Sequence, residues 1–287
     1  MMKYYETKNS KKDAKTGFLF NKHIVLHQYE HNAKALIIWS LVVGALMAMV
    51  VLLYPTFKDM YPEMIAGLPE AMQDIMNAIG GGFSNITEFY AAEGGQLYVL
   101  VGAIYASLLA ISLFKNEMVD GSFEFLFTQP VSRMKVFRSK LLVLITNLFV
   151  FNVIVGSMGL IGIHLAEGLA GVNIVNFLLY SLFAFVIHLQ IGLIVFSLSA
   201  MLGKKMSTGL GIAVAVLTYF VGIISLLSTL ASSLDVLKYL TPFTYVINGL
   251  IMEGTSAVNV PTLIMWSVIP VLLMVVAHIR FKRQDII

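Results

Sequence analysis

Six long apolar runs constrain this chain more than any motif it carries. They cover roughly residues 35–54, 96–114, 141–163, 174–202, 206–231 and 262–279. An α-helix needs about 20 residues to cross the hydrocarbon of a bilayer, with about 17–25 tolerated, and every run meets that length. Lipid gives a backbone amide no partner, so a spanning segment is either a helix or a strand of a closed barrel. These runs are dense in Leu, Ile and Val and lack the apolar–polar alternation of barrel strands, which leaves helices. Composition agrees: 58% of the 287 residues are hydrophobic and 12% charged, against about a quarter charged in soluble domains. No polar stretch is long enough to bury a core of its own. The chain reads as an all-α membrane protein with six transmembrane helices and a single transmembrane domain, residues 1–287.

The cations orient it. Seventeen of the 19 Lys and Arg residues fall in segments 1–34, 115–140, 204–205 and 280–283, leaving only Lys58 and Lys238 on the other side. The positive-inside rule then places both termini in the cytoplasm. The Lys-rich residues 1–17 precede an apolar run of spanning length with no small-residue cleavage site behind it, so that run is read as a retained span. Residues 18–33 mix Phe20, Ile24, Leu26 and Tyr29 with Lys22, Gln28 and Glu30, which predicts an interfacial helix along the cytoplasmic surface. On the outer side, Met64, Leu68, Met72, Ile75, Met76 and Ile79 recur at helical steps, predicting a capping helix over 63–79 that ends at Gly80–Gly82. A second capping helix is expected over 235–252, broken at Pro242. Gly94 and Gly95 read as a turn. The two halves show no inverted repeat of the kind that builds many secondary transporters.

Several chemistries are excluded. The chain has no cysteine, hence no disulfide, thiolate metal site or Cys nucleophile. No Asp, Glu, Lys or Arg lies in the spans away from their ends, which argues against coupling to an ion gradient and against an intramembrane aspartyl protease. Neither a phosphate-binding G-x-x-x-x-G-K-[ST] loop nor H-E-x-x-H occurs. His188, with Gln190 two residues on, is the one ionisable side chain near a span centre; it either lines a substrate path or closes a helix–helix contact. Asn147 and Asn152 carry the same ambiguity. His23, His27 and His31 stack on one helical face, but with no recruited carboxylate they read as the polar side of the interfacial helix rather than a metal site. Gly102, Gly192, Gly209, Gly211 and Gly222 read as close helix packing.

The longest charged interruption is residues 115–140, KNEMVDGSFEFLFTQPVSRMKVFRSK. Glu117, Asp120 and Glu124 come first, around a short aromatic helix candidate with Phe123, Phe125, Leu126 and Phe127. Pro130 follows, then Arg133, Lys135, Arg138 and Lys140. An acid, a Gly121, an apolar helix, Pro130-Val131-Ser132-Arg133 and Lys140 opening the next span resemble the loop between the second and third spans of ABC-2 type permeases. The interfacial N-terminal helix, the Thr241-Pro242-Phe243 break and the terminal RFKRQDI (residues 280–286) extend the resemblance over nearly the whole chain.

That resemblance implies the membrane-spanning subunit of an ATP-driven exporter in a bacterial-type plasma membrane, with no catalytic residue, cofactor or metal on this chain. ATP and Mg would sit on a separate ATPase subunit, docked on Glu117, Asp120, Gly121, Phe123, Glu124, Phe125 and Leu126. A second permease copy would complete the pathway. Asn147, Asn152, His188 and Gln190 are candidates for a substrate path, and Pro242 and Phe243 for an outer gate. The acidic aromatic half suits docking, an apolar anchor with a polar rim, while the basic half suits anionic headgroups. The expected cargo is hydrophobic or amphipathic, such as a peptide, antibiotic or toxin; nucleic acid is not an expected partner. The rival readings are an ATP-independent transporter, which would need a buried charge or filter-like sequence, and a non-transporting membrane partner or immunity protein.

Overall fold

Each long helix starts where a short polar side chain can hold its orphan amides. Asn21 accepts from the amides of His23 and Ile24 and opens α1 (Lys22–Leu52). Pro55 sits in the first turn of α2 (Tyr54–Ala66), where its missing N–H costs nothing. Asn85 caps α3 (Ile86–Phe89), which runs through a π-helical turn, Tyr90–Gly95, into α4 (Gln96–Val119). Ser132 caps α5 (Arg133–Glu167) and Asn173 caps α6 (Ile174–Leu202), and these two helices end at Gly168 and Gly203, both at positive φ. Then come α7 (Thr208–Leu226) and α8 (Val260–Arg283). A computed structural model describes residues 19–70, 72–73, 85–119, 131–226, 228, 232–245, 251 and 254–283. Among them no strand occurs, and six stretches are long and apolar enough to cross a membrane: Lys22–Met60, Ile86–Lys115, Arg133–Glu167, Ile174–Lys205, Thr208–Ser225 and Val260–Lys282.

At the centre α4 packs on α6, while α1 lies along α5, α7 against α4 and α8 against α6. The start of α1 meets the start of α5 (Asn21 N–H donates to Ser139 Oγ, 2.9 Å), and the start of α5 meets the end of α8 (Phe137 and Phe281, 5.7 Å between ring centres). Both ends of the described chain therefore share one end of the bundle, called here the terminal end.

The structure moves several expected boundaries. The interfacial helix of 18–33 is not a separate element: residues 22–52 form one helix, about 46 Å long at about 1.5 Å per residue. No Gly or Pro interrupts it, and its polar residues bind inward, Tyr29 pairing with Thr146 and Asn32 Oδ1 accepting from Ser112 at 2.9 Å. The basic segment Arg133–Lys140 is the opening of α5. Gly94 and Gly95 lie within the helical rod rather than in a turn, because α1 and α6 press on them. A Cβ on Gly95 would overlap the Tyr180 hydroxyl, and one on Gly94 would lie 3.0 Å from Met47 Cε. The capping helix expected over 63–79 is cut at Gly67, where α2 is capped, and at Pro69, which drives its predecessor out of helical geometry; residues 74–84 lie outside the described set. Of the capping helix expected over 235–252, the first part is not α-helical: 3-10 segments Ser232–Leu240 and Phe243–Tyr245 stand there, separated at Pro242, while Ile251 is α-helical and residues 246–250 and 252–253 lie outside the described set.

Candidate functional site

The roots of the loop 115–140 are tied to each other inside the bundle. Lys140 is fully buried, its ammonium donating to the Leu113 carbonyl and lying 5.1 Å from the centre of the Phe114 ring. A cation at this depth needs such partners. Lys140 therefore departs from the headgroup contact expected for the basic half, whereas Arg133, Lys135 and Arg138 keep partial exposure. Around it, rings from four helices interlock. Phe114 of α4 meets Phe196 of α6 at 4.9 Å and Phe281 of α8 at 5.8 Å; Phe137 of α5 meets Phe196 at 5.2 Å and His278 at 5.3 Å. Fully packed aromatics transmit displacement because such interiors compress little. Glu117 lies in the last turns of α4; Asp120, Gly121, Phe123, Glu124, Phe125 and Leu126 lie outside the described residues.

A second polar cluster sits mid-bundle. His188 of α6 is fully buried, Nε2 lying 3.1 Å from the Val99 carbonyl of α4 and Nδ1 3.0 Å from Asn152 Oδ1 of α5. The Tyr98 hydroxyl also donates to Asn152 Oδ1. The ring fits because residue 102 is glycine, where any Cβ would overlap it. Of the four side chains considered for a substrate path, the structure joins only these two. Asn147 is buried on α5, donating to its own helix at Val143 (2.9 Å) while its Oδ1 has no hydrogen-bond partner. Gln190 turns to α8, donating to Ser267 Oγ at 3.4 Å.

Asn152 also reaches a cavity of about 270 Å³ between α5 and α6. Phe149, Val153, Leu178, Leu182 and Phe185 form its apolar walls, with Gly156 and Ser181 on its lining. At the end opposite the terminal end, the Thr241–Phe243 break is clamped onto α7: Thr241 Oγ1 donates to the Thr218 carbonyl (2.7 Å), and the Phe243 ring meets Tyr219 edge-on at 5.4 Å, close to Gly222. Trp266 of α8 donates to the Tyr239 carbonyl at 3.1 Å.

Sequence reasoning missed Tyr98 and the glycine series of α5. Tyr98 looked like one more aromatic in an apolar run. Gly156, Gly159 and Gly162 recur every three residues, a signal for close approach: a Cβ on Gly159 would lie 2.6 Å from the Tyr90 ring, and one on Gly162 2.8 Å from Ala48 Cα.

No curated protein matches the chain. The family model for ABC-2 family transporter proteins matches residues 30–286. This stretch spans α1 from Glu30 onward, every later helix, the loop of 115–140 and the Thr241–Phe243 break. The chain is a multi-pass membrane permease that is not itself an ATPase, and it belongs to the ABC-2 transporter family.

Proposed function

We propose that this permease exports a hydrophobic or amphipathic substrate, of the peptide, antibiotic or toxin class, using ATP hydrolysed by a separate subunit. Both termini face the cytoplasm, and the ATPase docks on residues 117–127 of the loop. The observation that carries the reading is the buried knot of Lys140, Phe114, Phe137, Phe196 and Phe281 at the loop's roots. A push on the loop has a stiff route into α4, α5, α6 and α8 together. ATP and Mg belong to the partner, and a second permease copy completes the pathway. The groove between α5 and α6, apolar with one amide on its wall, suits a cargo with an apolar body and a polar handle. Asn152 is the path residue placed to touch it. Pro242 and Phe243 serve as the outer gate, closing on α7.

Co-purification in mild detergent followed by export in vesicles tests this. Replacing Glu117, Phe123 and Phe125 together by Ala is expected to release the ATPase. Lys140→Met is expected to keep the ATPase bound and ATP turning over while export falls. Unchanged association and export in the triple variant would remove the docking assignment, and normal export in Lys140→Met would remove the force route.

A further inference from the structure

His188 stands at the midpoint of α6 with both ring nitrogens facing acceptors. The Val99 carbonyl opposite Nε2 can only accept. Opposite Nδ1 is Asn152 Oδ1, and the orientation of that amide is fixed from its other side. Asn152 Nδ2 donates to the Leu148 carbonyl at 2.6 Å, and the Tyr98 hydroxyl donates to Oδ1. Turning the amide over to offer Nδ2 to the imidazole would set Oδ1 against the Leu148 carbonyl, acceptor against acceptor. A neutral imidazole has one N–H and leaves one facing acceptor without a proton in either tautomer. An imidazolium has two and satisfies both.

We propose that His188 is a proton-binding site whose occupancy closes a three-helix clasp. The bound proton joins α6 to α4 through Val99 and to α5 through Asn152, and its release breaks one of the two links. The groups facing the ring are few. From α4 come the Val99 and Tyr98 carbonyls and the Tyr98 hydroxyl, with the Tyr98 ring 5.3 Å away; from α5 come Asn152 and the Phe151 ring at 5.9 Å. Among the described residues no carboxylate, Lys or Arg acts on the imidazole. Among the described residues the Tyr98 hydroxyl is the only other titratable group beside it. Burying a lone charge at this depth is costly, while the acceptors facing both ring nitrogens favour it. This opposition makes occupancy conditional, as a switch requires. Asn152 also lines the α5–α6 groove, so proton release changes the one amide a bound molecule would meet there. The clasp does not depend on the exporter reading.

The test uses the full chain, labelled with 15N-histidine and held in lipid nanodiscs, with ring nitrogen shifts followed between about pH 3 and 8. The His188 ring is expected to pass from two protonated nitrogens to one as pH rises. Asn152→Ala removes the acceptor that demands the second proton, and its ring is expected to stay neutral throughout. A wild-type ring in one protonation state across the whole range overturns the proposal, as does an unchanged titration in Asn152→Ala. Should that variant fail to fold, Tyr98→Phe leaves Oδ1 to the imidazole alone. Its titration midpoint is expected to move to higher pH, and an unmoved midpoint overturns the proposal equally.

Discussion

Helices α4 and α8 have nearly the same mean hydropathy, yet they occupy opposite situations. About two-thirds of the most apolar window around α4 is buried inside the bundle, against 22% for α8. Hydropathy does not separate them, because lipid is as apolar as leucine and gives no reason to hide an apolar face. The difference lies in small and polar residues. Along α4, Tyr98, Ala103, Tyr105, Ala106, Ser107 and Ala110 are all buried, and Gly102 admits His188 from α6. Along α8, Val271, Leu272, Val275 and Val276 face outward. The inner helix is chosen by what can pack closely or hydrogen-bond, and the outer helix is chosen by default.

Paired substitutions break or sharpen that contrast, each read by thermal or denaturant unfolding in detergent. Phe151→Ala, which empties a fully buried site between Tyr98, Tyr105 and His188, is expected to cost about 3–5 kcal/mol. Val276→Ala on the outer face is expected to stay within about 0.5 kcal/mol. Equal losses would end the distinction. Gly102→Ala forces a methyl into the imidazole and is expected to cost about 1–3 kcal/mol. Gly209→Ala, with nothing within 4 Å of the added carbon, is expected to be neutral or to stabilise α7 by less than about 1 kcal/mol. Gln190→Leu removes the polar tie to Ser267 between the inner and outer sets, at a cost of about 0.6 kcal/mol. A loss several times larger would show α8 to be held as the inner helices are. Smallest is Lys58→Ala, which breaks an exposed pair with Glu167 (3.0 Å). The expected change is at the edge of detection, because solvent screens the pair, and it fades as salt is added.

What could be read in advance follows the same division. The rough span 174–202 coincides with α6, which Asn173 caps and Gly203 ends around one long apolar run. The start of α1 was not legible, since a change from polar to apolar composition does not interrupt a backbone that has no breaker. Gly67 and Pro69 were legible but lost beneath the methionine and leucine periodicity. His188 and Asn152 each drew notice as polar groups in apolar spans. Their pairing did not, because 36 residues separate them and nothing local encodes which faces of α5 and α6 meet. Lys140 was read as a surface cation because its partner is a backbone carbonyl on another helix.

The π turn at Tyr90–Gly95 holds one residue more than an α-helical turn would need. It takes up that residue locally, where an extra residue in a plain α-helix would rotate everything beyond it by about 100°. Below it, Tyr98 and Gly102 point their face at α5 and α6; above it, Phe89 meets Tyr54 and Phe57 at the opposite end. A chain one residue shorter here would close into plain α-helix with little rotation of one end against the other. Both ends of this span would keep their present neighbours, and the loss would fall on the contacts of the turn itself, Gly94 against Met47 and Gly95 against Tyr180.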